Sequence, residues 1–114
     1  GAKLFLKNRG VIVSTAKNGN QALELIRQEA FDVVLMDVHM PELDGMEVTR
    51  CIREDSNPDI SQLPVIALTA AVLKDEHQCY LDAGMNAVLA KPLDIEKVIA
   101  TLFDIPMFSY SADF

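Results

Sequence analysis

Residues 31–45 read FDVVLMDVHMPELDG, and the fold turns on how they are read. Residues 31–36 form a short apolar run broken only by Asp32. A run that short and that apolar suits a strand covered on both faces, as in a parallel sheet. It leads directly into a carboxylate, Asp37, and then His39 and Pro41. A charged side chain ending a buried strand stands at the rim of the sheet, where sites form in open parallel folds.

Outward from this stretch, strand-like and helix-like patterns alternate. Upstream, VIVSTA (11–16) is rich in β-branched residues and reads as a strand. Asn18 with Gln21 makes a capping box, and Ala22, Leu25, Ile26 and Ala30 give a helical stripe. Downstream, Asp44 with Glu47 caps a helix whose apolar face is Val48, Cys51 and Ile52. Residues 54–62 are polar, contain Pro58 and read as loop. Residues 63–67 (LPVIA) are a third strand. Val72, Leu73, Tyr80 and Leu81 fit a helix ending at Gly84. Residues 87–90 (AVLA) are a fourth strand, stopped by Lys91-Pro92. Ile95, Val98, Ile99, Leu102 and Phe103 mark a last helix capped by Asp94. Strict alternation with short loops predicts an α/β doubly wound parallel sheet with helices on both faces.

The 114 residues make one domain, 1–114, with 105–114 as a C-terminal tail of no clear period. Half the residues are apolar, and the net charge is -7. That balance argues against a nucleic-acid or anionic-membrane surface, both of which need a basic stripe. No apolar run approaches the length of a membrane span. Cys51 and Cys79 form no CxxC pair and fit reduced thiols in a reducing compartment.

Three successive strands end in reactive groups: Asp37, then Leu68-Thr69-Ala70, then Lys91. Neighbouring parallel strands would set a carboxylate, a hydroxyl and an ammonium on one rim. A carboxylate can attack a phosphoryl group and become an acyl phosphate. The ammonium and hydroxyl can then hold the phosphoryl oxygens, and a divalent cation can neutralise charge in the transition state. Taken singly, each residue reads more simply: a turn or cap aspartate, a cap threonine, a solvated lysine.

The stretches AKNGNQALELI (16–26), FDVVLMDVHMPELDG (31–45), LPVIALTA (63–70) and GMNAVLAKPL (84–93) together resemble a receiver domain of bacterial two-component signalling. MDVHMPELDG is particularly similar to receivers attached to hybrid sensor kinases. The resemblance implies a flavodoxin-like sheet of strand order 2-1-3-4-5. It implies Asp37 as phosphoacceptor, Thr69 as the hydroxyl that binds the phosphoryl group, and Lys91 as its cation. Ala70 would be the small residue that leaves room, and Lys91-Pro92 a cis turn. Mg²⁺ would be held by Asp37, by the backbone carbonyl of His39 and by an acidic pair. The implied partner is a histidine kinase or a histidine phosphotransfer domain, and the implied location is the cytoplasm. The chain would be a self-catalysed phosphoacceptor, not a turnover enzyme, and could be part of a hybrid histidine kinase.

Two departures stand against this. Val88 occupies a place where the family usually carries Tyr or Phe, so no ring is available to swing inward. Residues 2–10 (AKLFLKNRG) read as the end of a first helix. The expectation is therefore a domain lacking its first, central strand and the acidic pair, with weak or absent Mg²⁺ binding. The absent strand would be supplied by residues upstream, by a dimer partner or exchanged strand, or replaced by pairing 11–16 directly against 31–36. A binding-only pseudo-receiver is the alternative function. A haloacid-dehalogenase-type phosphatase would need a second Asp where His39 stands.

Overall fold

The computed structural model describes the backbone of residues 2–6, 13–16, 18–38 and 45–104, and the side chains of 18–38 and 45–104. In chain order the elements are β1 (Ala2–Leu6), β2 (Val13–Ala16), α1 (Gly19–Gln28), β3 (Phe31–Asp37), α2 (Gly45–Arg53), α3 (Pro58–Ser61), β4 (Val65–Thr69), α4 (Lys74–Asp82), β5 (Ala87–Ala90) and α5 (Ile95–Phe103). The tail 105–114, His39 and the Asp44 cap lie outside the described residues.

One five-stranded sheet runs β2-β1-β3-β4-β5. The strands β3, β4 and β5 are mutually parallel, as expected. The centre of the sheet is where the structure departs from the sequence reading. Residues 2–6 are not the end of a helix; they form β1, antiparallel to both β2 and β3. The slot expected to be empty is filled, and the direct pairing of 11–16 against 31–36 is not formed.

The physical reason is the cost of open edges. An empty slot leaves the backbone donors and acceptors of β2 and β3 unpaired, and an extended 2–6 pairs both rows. Its direction follows from chain length. Residues 7–12 separate β1 from β2, and a parallel crossover needs a dozen or more residues. The short link permits only an antiparallel neighbour.

Alternation along the strands builds two cores. On one face, Val34 and Met36 of β3 and Val65 and Ala67 of β4 pack with Ala22 and Ile26 of α1, Val48 and Ile52 of α2, and Tyr80 of α4. On the other, Val33, Leu35, Ile66 and Leu68 pack with Val98 and Leu102 of α5. Period-2 side chains on β3 and β4 thus serve both layers.

Local chemistry fixes the helix ends. Asn18 accepts a hydrogen bond from the Gln21 amide at 2.9 Å, and Asp94 accepts one from Glu96 at 3.0 Å. Gly84 follows α4 with φ of +106°, a conformation that a side chain would strain. Residues 54–62 are not all loop: Asn57 caps the single turn α3, with Pro58 opening it. Val72 and Leu73 lie outside α4 and are exposed, and so is Phe103 at the end of α5.

Candidate functional site at the carboxyl ends of the parallel strands

Register places the three reactive positions in a staircase. Asp37 lies opposite Leu68, so Thr69 is one step further along β4. Thr69 lies opposite Ala90, so Lys91 is one step beyond β5. Each step is about 3.3 Å along the strand direction. Backbone bonds hold the rim: the Val38 amide donates to the Leu68 carbonyl at 3.3 Å, and the Lys91 amide to the Thr69 carbonyl at 2.8 Å.

Side-chain direction decides which groups meet. Asp37 continues the Val33–Leu35 face, and Lys91 continues the Ala87–Leu89 face, both on the α5 side. Their side chains touch: Lys91 Nζ donates to Asp37 Oδ2 at 2.5 Å. The carboxylate is 15% exposed and the ammonium 40%, so the pair sits at the mouth of the sheet and not inside it.

Thr69 has the opposite parity and is buried. Its hydroxyl donates to the Ala71 carbonyl at 2.9 Å, closing the turn that leads to α4. Ala70 is exposed beside it, and Pro92 follows Lys91 through a cis peptide bond. Val88 shares the parity of Thr69 and packs half-buried against the three-helix core.

The Mg²⁺ expectation meets a poor donor set. Mg²⁺ demands near-octahedral oxygen coordination. Among the described residues no group of three or more His, Cys, Asp or Glu stands ready to hold a metal. The described rim supplies one carboxylate, and an ammonium already sits on one of its oxygens. These residues do not fit the ion.

One residue that sequence reasoning passed over organises the opposite end of the sheet. Arg53, at the end of α2, donates from Nε to the Gly84 carbonyl at 2.9 Å and from Nη2 to Asn86 Oδ1 at 2.8 Å. Its Nη1 donates to the Ser61 and Leu63 carbonyls at 3.0 and 2.7 Å. Burial lowers its pKa, yet a guanidinium stays charged near neutrality. The readable signals were a basic residue in a last helical turn, where carbonyls want donors, and an Asn opening a strand.

Comparison with known proteins agrees with this architecture. The response regulator receiver domain model matches residues 1–103. Sensor protein GacS of Pseudomonas syringae is 40% identical over 90 residues, which cover 78% of this chain and 10% of GacS. The chain therefore spans about a tenth of that relative's length. Chemotaxis protein CheY4 of Vibrio cholerae superposes with a TM-score of 0.72 at 30% identity, covering 84% of this chain and 78% of CheY4. The receiver domain of sensor histidine kinase PA1611 from Pseudomonas aeruginosa, solved with magnesium in its active-site cleft, gives 0.64 at 35% identity, covering 81% and 74%.

Proposed function

The chain belongs to the response regulator receiver domain family of two-component signalling, and on that footing we propose that it is a phosphoacceptor with Asp37 as the receiving residue. The observation that carries the reading is the Lys91–Asp37 contact between the ends of β5 and β3, the two parallel strands that flank β4. A carboxylate oxygen of Asp37 attacks the phosphorus of a phosphohistidine. The new P–O bond forms as the P–N bond breaks, and the electron pair leaves with the imidazole, which takes up a proton. Lys91 passes from the carboxylate to the phosphoryl oxygens, where charge accumulates. The Thr69 hydroxyl, with a single proton, exchanges the Ala71 carbonyl for a phosphoryl oxygen. Ala70 and Pro92 line the approach. With valine at 88, no ring swing accompanies that exchange.

No step is assigned to a metal, because the described donors do not form a Mg²⁺ site. Magnesium in the PA1611 domain supports testing the ion as a variable, with the His39 carbonyl as the implied backbone ligand. The partner is a histidine kinase or a histidine phosphotransfer domain, in the same chain if this is part of a hybrid kinase. The unit is one receiver over 1–114, acting in the cytoplasm; no described helix is long and apolar enough to cross a membrane. Exchange of β1 with a second copy would appear as a dimer on sedimentation.

The test is acyl-phosphate formation from a small phosphodonor on the complete protein, with and without Mg²⁺, for wild type and Asp37→Asn. Wild type is expected to gain a hydroxylamine-labile phosphoryl group and the variant none. The poor metal donor set and Val88 favour a second reading, a binding-only pseudo-receiver. Absence of label in both proteins selects it.

A further inference from the structure

We infer that Arg53 and Asn86 form a clasp that sets where Lys91 stands over Asp37, which makes both positioning residues for phosphoacceptance. The inference rests on the phosphoacceptor reading and names what aligns its cation.

The strand that delivers Lys91 is weakly held by packing. β5 has four residues, lies at the sheet edge, and is half-buried along three of them and exposed at the fourth. Burial alone gives so short an edge little register preference. Its start is fixed by polar bonds instead. The Asn86 amide donates to the Val65 carbonyl at 2.8 Å, while Asn86 Oδ1 accepts from the Val65 amide, also at 2.8 Å. Asn86 therefore pairs with the first residue of β4 through backbone and side chain together.

Arg53 locks that pairing from behind. Its Nη2 donates to the same Oδ1, its Nε holds the Gly84 carbonyl, and its Nη1 holds the chain entering β4 through Ser61 and Leu63. One planar guanidinium thus ties the approach to β4 and the approach to β5 in a fixed fork. A one-residue slip of β5 would turn Lys91 to the other face, away from Asp37. A smaller tilt at the clasp moves the ammonium across the rim, about 16 Å further along the strand.

The experiment uses Asn86→Ala, Arg53→Lys and Asn86→Asp in the complete protein, with Ile26→Val as a core control on α1. Phosphorylation by acetyl phosphate is measured on the folded fraction. The ¹³Cγ shift of Asp37 is read in parallel, with Lys91→Met marking the value without the lysine. Asn86→Ala and Arg53→Lys are expected to slow phosphorylation roughly ten- to a hundredfold, the scale of a misplacement near 1 Å. The Asp37 shift should move toward that of Lys91→Met. Asn86→Asp keeps the acceptor oxygen and restores both; Ile26→Val changes neither. An Asp37 shift unmoved in Asn86→Ala overturns the clasp, whatever happens to the rate. A wild type that takes no phosphoryl group removes the phosphoacceptor reading, and the shift alone then decides the clasp.

Discussion

The Asp37–Lys91 pair is worth taking apart by a double-mutant cycle of Asp37→Asn and Lys91→Met. Two unit charges 2.5 Å apart attract by about 1.7 kcal/mol even at the dielectric of bulk water. Partial burial of the carboxylate raises that figure, and ordering the lysine stem opposes it by about 1–2 kcal/mol. The net coupling should be about 1–2 kcal/mol, at or above the upper end for fully exposed pairs. Urea unfolding of the four proteins at low salt measures it. In 1 M salt, where the Debye length is about 3 Å, the coupling should shrink but persist, because the carboxylate is largely covered. A coupling below about 0.3 kcal/mol, the ordinary error of additivity, would show that the two groups do not hold each other in solution. The ground for assigning Lys91 to the phosphoryl oxygens would go with it. If the assignment holds, Lys91→Met slows phosphorylation by about a hundredfold, the usual loss on deleting one oxyanion partner.

Gly19→Ala would set a Cβ 2.8 Å from Val48 Cγ2, a stiff β-branched neighbour, and should destabilise by about 1–3 kcal/mol. Adding Val48→Ala should relieve the contact; an unchanged melting temperature for Gly19→Ala alone would contradict the close α1–α2 packing. Tyr80 has its pKa raised, first by burial and then by the Glu76 carboxylate. The unfolded chain therefore loses the phenolic proton at lower pH than the folded one. That stability is fully present below the unfolded pKa and is lost as pH rises from there through the folded value. Unfolding followed across alkaline pH should show a loss that Tyr80→Phe removes; identical profiles would rule the linkage out. Calorimetric titration of the 114-residue chain with Mg²⁺ should give no saturable heat up to millimolar metal. Tight binding abolished by Asp37→Asn would refute the poor donor set.

Much of the site was legible because the signals were local. An apolar run that stops at a carboxylate placed β3 and Asp37. AVLA followed by Lys91-Pro92 placed β5 within its observed bounds. The failures have specific physical causes. Residues 2–6 carry Leu4, Phe5 and Leu6 among polar neighbours, too short a stretch to separate the two periods. The open slot between β2 and β3 decided their conformation, and that slot is a tertiary fact. Val72 and Leu73 looked like the first turn of a helical stripe. The Thr69 hydroxyl instead closes a turn onto Ala71, so α4 starts only at Lys74. The cap Asn57 with Pro58 was readable as a helix start and was hidden by the polar stretch around it. Arg53 was visible as a residue but not as a role, since its acceptors lie 8 to 33 residues away.

The antiparallel centre and the parallel rim answer to different constraints. The direction of β1 follows from the short link to β2 and from two open edges. The staircase Asp37–Thr69–Lys91 follows from the β3–β4 and β4–β5 registers, in which β1 takes no part. The β3–β4 register is pinned by side chains buried on both faces, where a one-residue slip would exchange Val34 and Met36 with Val33 and Leu35 between two differently shaped cores; the β4–β5 register rests on the Asn86 bonds at the start of β5. Weakening β1 should thus lower stability and leave the Lys91–Asp37 contact in place. Loosening the start of β5 should do the reverse: little change in stability, because β5 buries little, and a displaced ammonium. On this reading the position of Lys91 is held by the least buried of the three parallel strands, through polar bonds at its start and not through its core contacts.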